Sequence, residues 1–253
     1  MTAALPAIAA ALPAIAARIG YYYDWTYILV IIGAIFSAVA AANVRNTYAK
    51  WSRVPNQRGI TGADAAAAIL RASNTTGVRI HAIPGKLTDH YSPREQSLGL
   101  SEGVYGESSI AAVGIAAHEA GHAIQHGTGY SPLHVRNAIV PVVNIGSRLS
   151  MPILLVGFLI QSRFGDGLLM VGVLLFSLSF LFTLITLPVE FNASRRALQA
   201  IEAGGLLTAE ELQGTRKVLR AAALTYVAAA AAALLSLLRI LLLVSSRGRS
   251  RRR

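Results

Sequence analysis

Residues 110–126 read IAAVGIAAHEAGHAIQH. Taken as one helix, this stretch puts His118 and His122 at positions i and i+4, one turn apart on the same face. Two imidazoles placed that way can reach a single zinc ion at about 2.0–2.1 Å. Glu119, beside the first histidine, can reach a water held by that ion and act as its general base. Zinc lowers the pKa of such a water to about 7, within reach of a carboxylate at neutral pH. The lead-in 110–117 is apolar, and Ser108 or Ser109 can start the helix. Ala120, Gly121 and Ala123 are small, so another segment can approach the metal closely. A pair of ordinary surface or core histidines would need neither the intervening glutamate nor this setting.

On both sides of that helix the chain is more apolar than a soluble domain. Hydrophobic residues make up 54% of the 253, against about 45–50% in soluble domains. The excess is gathered into long uncharged runs, as in membrane spans. Residues 27–42 carry no charge and follow an aromatic cluster at 21–25 of the kind found at bilayer interfaces. Residues 168–187 form an uncharged window long enough to span. Residues 149–160 are short for a span unless extended back through 139–145. Residues 221–244 are interrupted only by Arg239. The fold expected is therefore mainly α: a multi-pass α-helical membrane protein with a zincin-like HExxH helix and a small polar α+β insertion.

In chain order, residues 1–20 are a low-complexity N-terminal segment, in which ALPAIAA occurs at 4–10 and again at 11–17. A transmembrane helix follows at 26–43, then a polar domain at 44–137 that carries the HExxH helix. A transmembrane hairpin occupies 139–187, with a tight polar turn at 161–167. Residues 188–220 are polar and hold a candidate third ligand. A transmembrane or interfacial helix at 221–244 precedes a basic tail at 245–253. Within the polar domain, Thr61 can cap a helix over 63–73. Residues 78–83 alternate like a strand, and 84–94 read as a loop. A second short strand at 96–100 can either pair within the domain or accept an extended substrate backbone.

The net charge is +11. Nucleic-acid binding is excluded as the main reading, because the basic residues flank apolar runs instead of forming one stripe. Five of the 23 basic residues lie between Arg247 and Arg253, a cluster suited to anionic lipid headgroups or to setting topology. There is no cysteine, so a metal must be held by His, Asp or Glu.

A catalytic zinc needs a third protein ligand and an open fourth position. His126 continues the i+4 series but lies about 12 Å along the axis from His118. Thr128 stands where the metzincin pattern requires a histidine. Asp166, in FGDG, matches the Asp-Gly element of site-2 proteases. Glu190, in LPVEFNASRRAL, directly follows a span, where an unpaired carboxylate is costly and functional by default. Parity separates the last two. One apolar crossing leads from the histidines to Asp166 and two lead to Glu190, so Glu190 returns to their side.

LTDHYSP at 87–93, AAHEAGHAIQH at 116–126, SPLHVRNAIVPVVN at 131–144, LPVEFNASRRAL at 187–198 and AAALTYVAAA at 221–230 together resemble the YugP-like family of bacterial membrane zinc metallopeptidases. The likeness runs over residues 42–243. It implies a multi-pass protein of the cell membrane that uses zinc to hydrolyse peptide bonds of protein or peptide substrates in or near the bilayer. More distantly the chain is similar to the HtpX and CAAX-processing membrane peptidases. Those place a glutamate on a later helix as third ligand, carried here by Glu190, and an acid four residues on that supports a zinc histidine. Ser194 stands at that position, with Asn192 two residues before it. Ser194 can still hydrogen-bond an imidazole but brings no charge. The same likeness suggests a metal site on the cytoplasmic side. With four spans, the arginine tail then falls on the other side, unless the last segment re-enters or lies in the interface. His90, Tyr91, Arg195 and Tyr226 are candidate donors to the carbonyl oxygen of a substrate. A site-2-type intramembrane protease built on Asp166, and a non-catalytic membrane protein stabilised by zinc, remain as other readings.

Overall fold

The computed structural model describes residues 25–250, with side chains through Arg247. The segment 1–20, the aromatic cluster up to Asp24 and the tail arginines beyond Arg247 lie outside the described residues.

Helix α1 (Tyr27–Trp51) opens the described chain. Helix α2 (Gly62–Ala72) starts where the sequence predicts. The Thr61 hydroxyl accepts from the Asp64 amide, and the Asp64 carboxylate accepts from the Thr61 amide, a reciprocal capping box. The Thr61 hydroxyl, which also donates to the exposed Asp64 carboxylate at 2.6 Å, and the Thr61 amide together hold that carboxyl below its ordinary pKa. Strands β1 (Arg79–Ile83), β2 (His90–Ser92) and β3 (Ser97–Ser101) form one sheet in the order β1-β3-β2. β1 runs parallel to β3, pairing Arg79 with Ser97, and β2 runs antiparallel to it, pairing His90 with Gly99.

Two sequence expectations change here. The stretch 84–94 is not all loop, because its residues 90–92 form the edge strand β2. β3 is the central strand, buried at all five positions and paired on both sides. β2 covers Ser97–Gly99 on the side that β1 leaves, so those residues cannot accept a substrate strand.

A short helix α3 (Glu102–Tyr105) leads into α4 (Ile110–Gly127), the helix of the histidines. The Ser109 hydroxyl accepts from the Ala112 amide at the start of α4. Helix α5 (Ser131–Leu159) keeps Pro141 and Pro152 inside it, and α6 (Arg163–Ala203) keeps Pro188. Helix interiors in membrane proteins tolerate proline because neighbouring groups satisfy the freed carbonyls. The expected polar turn at 161–167 shrinks accordingly. α6 begins at Arg163, capped by the Ser162 hydroxyl on the Gly165 amide, and Asp166 lies in its first turn. Helix α7 (Ala209–Ser250) is unbroken, so the last apolar segment does not re-enter.

Among the described residues, α1, α5, α6 and α7 are the helices long and apolar enough to cross a membrane. They stand in a row, α5 against α6, α6 against α7, and α7 against α1. Gly33 brings α1 against α7, where an added Cβ would meet the Ala232 Cα at 3.0 Å. Their outward faces carry exposed Ile35, Val142, Leu174 and Leu238, as lipid-facing surfaces do. At the end near the turn between α5 and α6, Leu154, Leu169, Val173 and Ile240 form a small cluster. The main core lies at the other end, where Ile69, Leu98, Leu100, Val104, Val113 and Ile201 join α2, the sheet and α4 to α6.

Candidate metal centre

α4 reaches the membrane-spanning helices through its small residues. Gly121 faces the backbone of α6 so closely that a Cβ there would lie 2.6 Å from the Ala193 carbonyl oxygen. The expectation that the small residues of HEAGH let a second segment approach is met by that contact. It sets the histidine-bearing face of α4 against one turn of α6, that of Val189, Glu190 and Ala193.

His118 and His122 have ring centroids 4.7 Å apart in an edge-on arrangement. The Glu190 Oε2 atom lies 3.3 Å from His118 Nε2 and 3.5 Å from His122 Nε2. One ligand atom from each of the three residues falls within 4.8 Å of the other two. The Glu190 side chain is 4% exposed, and Oε2 is buried without a hydrogen-bond partner. Glu190 Oε1 accepts from Arg136 Nη1 at 3.1 Å. A buried carboxylate oxygen left open between two imidazole nitrogens is a costly arrangement in a closed core. It is what a cation between them would satisfy, and two imidazoles with one carboxylate are a donor set that suits zinc.

The other ring nitrogens are engaged. His118 Nδ1 meets the Ser194 hydroxyl at 3.1 Å. His122 Nδ1 meets Gln125 Oε1 at 3.0 Å. Both Nε2 atoms therefore face Glu190, as metal-binding imidazoles require. Burial pushes the His122 imidazole down. Its contact with Glu190 and the charges of Glu119 and Glu190 outweigh burial, so its pKa lies above the ordinary value. Among the described residues, the Glu119 carboxylate makes no hydrogen bond or ion pair, which leaves it open to water.

The remaining sequence candidates separate. Asp166 is on α6, 24 residues before Glu190, or about 36 Å along the helix, and pairs with Arg247 Nε at 3.4 Å. It takes no part in the cluster. His126 Nδ1 lies 2.9 Å from the Tyr91 hydroxyl, and burial raises the pKa of that phenol. His90 is exposed, with Nδ1 3.0 Å from the Thr88 carbonyl oxygen, and Arg195 is exposed. Of the proposed carbonyl donors, Tyr226 on α7 comes within interaction range of both Glu190 and Glu119. Arg136 and Gln125 were not singled out in the sequence. Both left a signal: a lone arginine opening an apolar span, and a glutamine three residues after His122 on the same helix face.

The chain belongs to the family described as "Putative neutral zinc metallopeptidase", whose model matches residues 26–245. It is 43% identical over 203 residues to the "Putative membrane protease YugP" of Bacillus subtilis (strain 168), covering 80% of this chain and 89% of that protein. No solved structure matches the chain. A zinc-dependent protease embedded in the membrane by four apolar helices is thus the class that sequence, fold and relatives agree on.

Proposed function

We propose that the chain is a membrane endopeptidase that cuts proteins in or next to the bilayer, with His118, His122 and Glu190 as metal ligands and Glu119 as general base. The observation that carries this reading is the Glu190 Oε2 atom, buried without a hydrogen bond and aimed between the two Nε2 atoms. Zinc, when bound by these three, polarises the scissile carbonyl and acidifies the attacking water. Glu119 takes the proton from that water as its oxygen attacks the carbonyl carbon. The same carboxyl then hands the proton to the leaving nitrogen as the C–N bond breaks. Arg136 holds Glu190 by its Oε1, and the Tyr226 hydroxyl, in reach of Glu190, is the candidate donor to the substrate carbonyl.

The substrate class follows from depth. The uncharged window 168–187 is about 30 Å long, and Glu190 lies three residues, about 5 Å, beyond it. The cluster therefore sits at the bilayer surface, where peptide bonds flanking a membrane span are within reach. Basic residues Arg45, Lys50, Arg53, Arg195, Arg196, Arg216 and Lys217 flank the spans on the cluster's side and outweigh Arg163 and Arg247 at the opposite ends, which favours a cytoplasmic site. Single cysteines introduced at residues 57 and 161 of this cysteine-free chain test the orientation. Only the second is expected to react with an impermeant thiol reagent added outside intact cells. Labelling of the first alone would invert it.

The activity is tested with purified full-length protein in detergent and an unfolded membrane-protein substrate. Wild type is expected to cleave it, and Glu119→Gln to lose at least about 10²-fold in rate while keeping its zinc. Equal cleavage by both would remove Glu119 as the base. Zinc bound by both, with no cleavage of any membrane or soluble substrate, would favour the non-catalytic zinc-stabilised reading.

A further inference from the structure

Four side chains link the two helices of the cluster through a chain of hydrogen bonds. Arg196 Nε donates to Asn192 Oδ1 at 2.8 Å. The Gln125 amide nitrogen donates to the same Asn192 Oδ1 at 2.9 Å and to the Val189 carbonyl at 2.8 Å. Gln125 Oε1 lies 3.0 Å from His122 Nδ1. Gln125 itself is 0% exposed, and a buried amide must have its partners.

The direction of every bond in this chain is dictated from one end. A guanidinium only donates, so the Asn192 atom facing Arg196 is the carbonyl oxygen. Two acceptors, that oxygen and the Val189 carbonyl, then require the NH₂ of Gln125 to face them. Its carbonyl oxygen is left facing His122, and it can only accept. His122 must therefore carry its proton on Nδ1, which leaves the Nε2 lone pair directed at Glu190 Oε2. The Val189 carbonyl belongs to the residue before Glu190, so the same amide also fixes the turn of α6 that presents the carboxylate.

We propose that Gln125 is a positioning residue of the metal centre. It transmits the donor character of Arg196 to His122, selects Nε2 as the metal-facing nitrogen, and clamps α4 to the Glu190 turn of α6. The proposal rests on the reading of His122 as a ligand. Gln125 touches neither substrate nor reacting atoms. It acts through the orientation of an imidazole and a carboxylate.

The test uses the full-length protein in detergent, labelled with ¹⁵N-histidine and loaded with ¹¹³Cd, together with zinc affinity by chelator competition. In wild type, cadmium is expected to couple to His122 Nε2 and not to Nδ1. Gln125→Leu removes the acceptor and is expected to weaken zinc binding about 10–100-fold. Gln125→Glu restores an acceptor for Nδ1–H but not the donors to Asn192 and Val189, and is expected to recover part of that affinity, which a merely space-filling role would not produce. Coupling to Nδ1 in wild type, or wild-type affinity in Gln125→Leu, overturns the proposal. The coupling measurement needs no variant, so it stands even if Gln125→Leu does not fold. His122→Ala separates the two levels. If it keeps zinc, the ligand reading itself fails. If it loses zinc while Gln125→Leu does not, only the positioning role fails.

Discussion

Helix α6 carries a carboxylate paired with an arginine near each end, and the two pairs are built differently. At one end, Asp166 is 46% exposed and pairs with Arg247, whose remaining N–H groups donate to the Gly157, Phe158 and Ile160 carbonyls at the end of α5. That arginine caps one helix and pins another, and its donors are used in doing so. At the other end, Glu190 is 4% exposed, Arg136 occupies only one of its oxygens, and the second oxygen faces two imidazoles with no hydrogen bond. The first pair closes on itself and fastens three helices. The second leaves a buried lone pair open. Buried polar atoms are nearly always satisfied in folded proteins, so the open one marks the end where chemistry belongs.

Removing the arginines sharpens this contrast most. Arg136→Ala leaves the buried Glu190 Oε1 without its arginine donor, and breaking a buried pair from one side typically costs several kcal/mol. Zinc affinity is expected to fall about 10-fold or more by chelator competition. Arg247→Ala is expected to leave zinc affinity unchanged and to lower the detergent melting temperature, through loss of charged hydrogen bonds worth about 1.5–3 kcal/mol each. Equal effects of the two on zinc would erase the distinction. Next in size are the glycines. Gly121→Ala forces a Cβ toward the Ala193 carbonyl and is expected to cost about 1–3 kcal/mol, with loss of zinc. Gly167→Ala meets nothing within 4 Å and is expected to be neutral, or stabilising by up to about 1 kcal/mol, in the same thermal unfolding assay. The smallest effect expected is that of Ser194→Asp. It places a charge on His118 Nδ1 and should tighten zinc severalfold without changing the melting of the metal-free protein. Weaker zinc binding in that variant would mean that the hydroxyl and not a charge suits this imidazole.

The helices and the residues that meet in the His118, His122 and Glu190 cluster were legible in the sequence. HEAGH fixes its own geometry by helical spacing, and residues 168–187 declare a span by lacking charge. Glu190 was reachable by counting crossings, since the side of the membrane on which a residue emerges depends only on the number of spans before it. What escaped depends on nonlocal pairing. β2 is three residues long and exists only because β3 offers it an edge. Helix α6 also runs on through Pro188, past the boundary expected at 187. Arg136 gains meaning only once α5 sets it against Glu190 on α6. Gln125 has meaning only once Asn192 and Val189 are placed beside it.

The most direct measurement is the metal content of the purified protein in detergent, comparing wild type with Glu190→Ala and Asp166→Ala. The account predicts about one zinc per chain in wild type and in Asp166→Ala, and none in Glu190→Ala. Zinc retained by Glu190→Ala and lost from Asp166→Ala would contradict it and move the centre to the opposite end of α6.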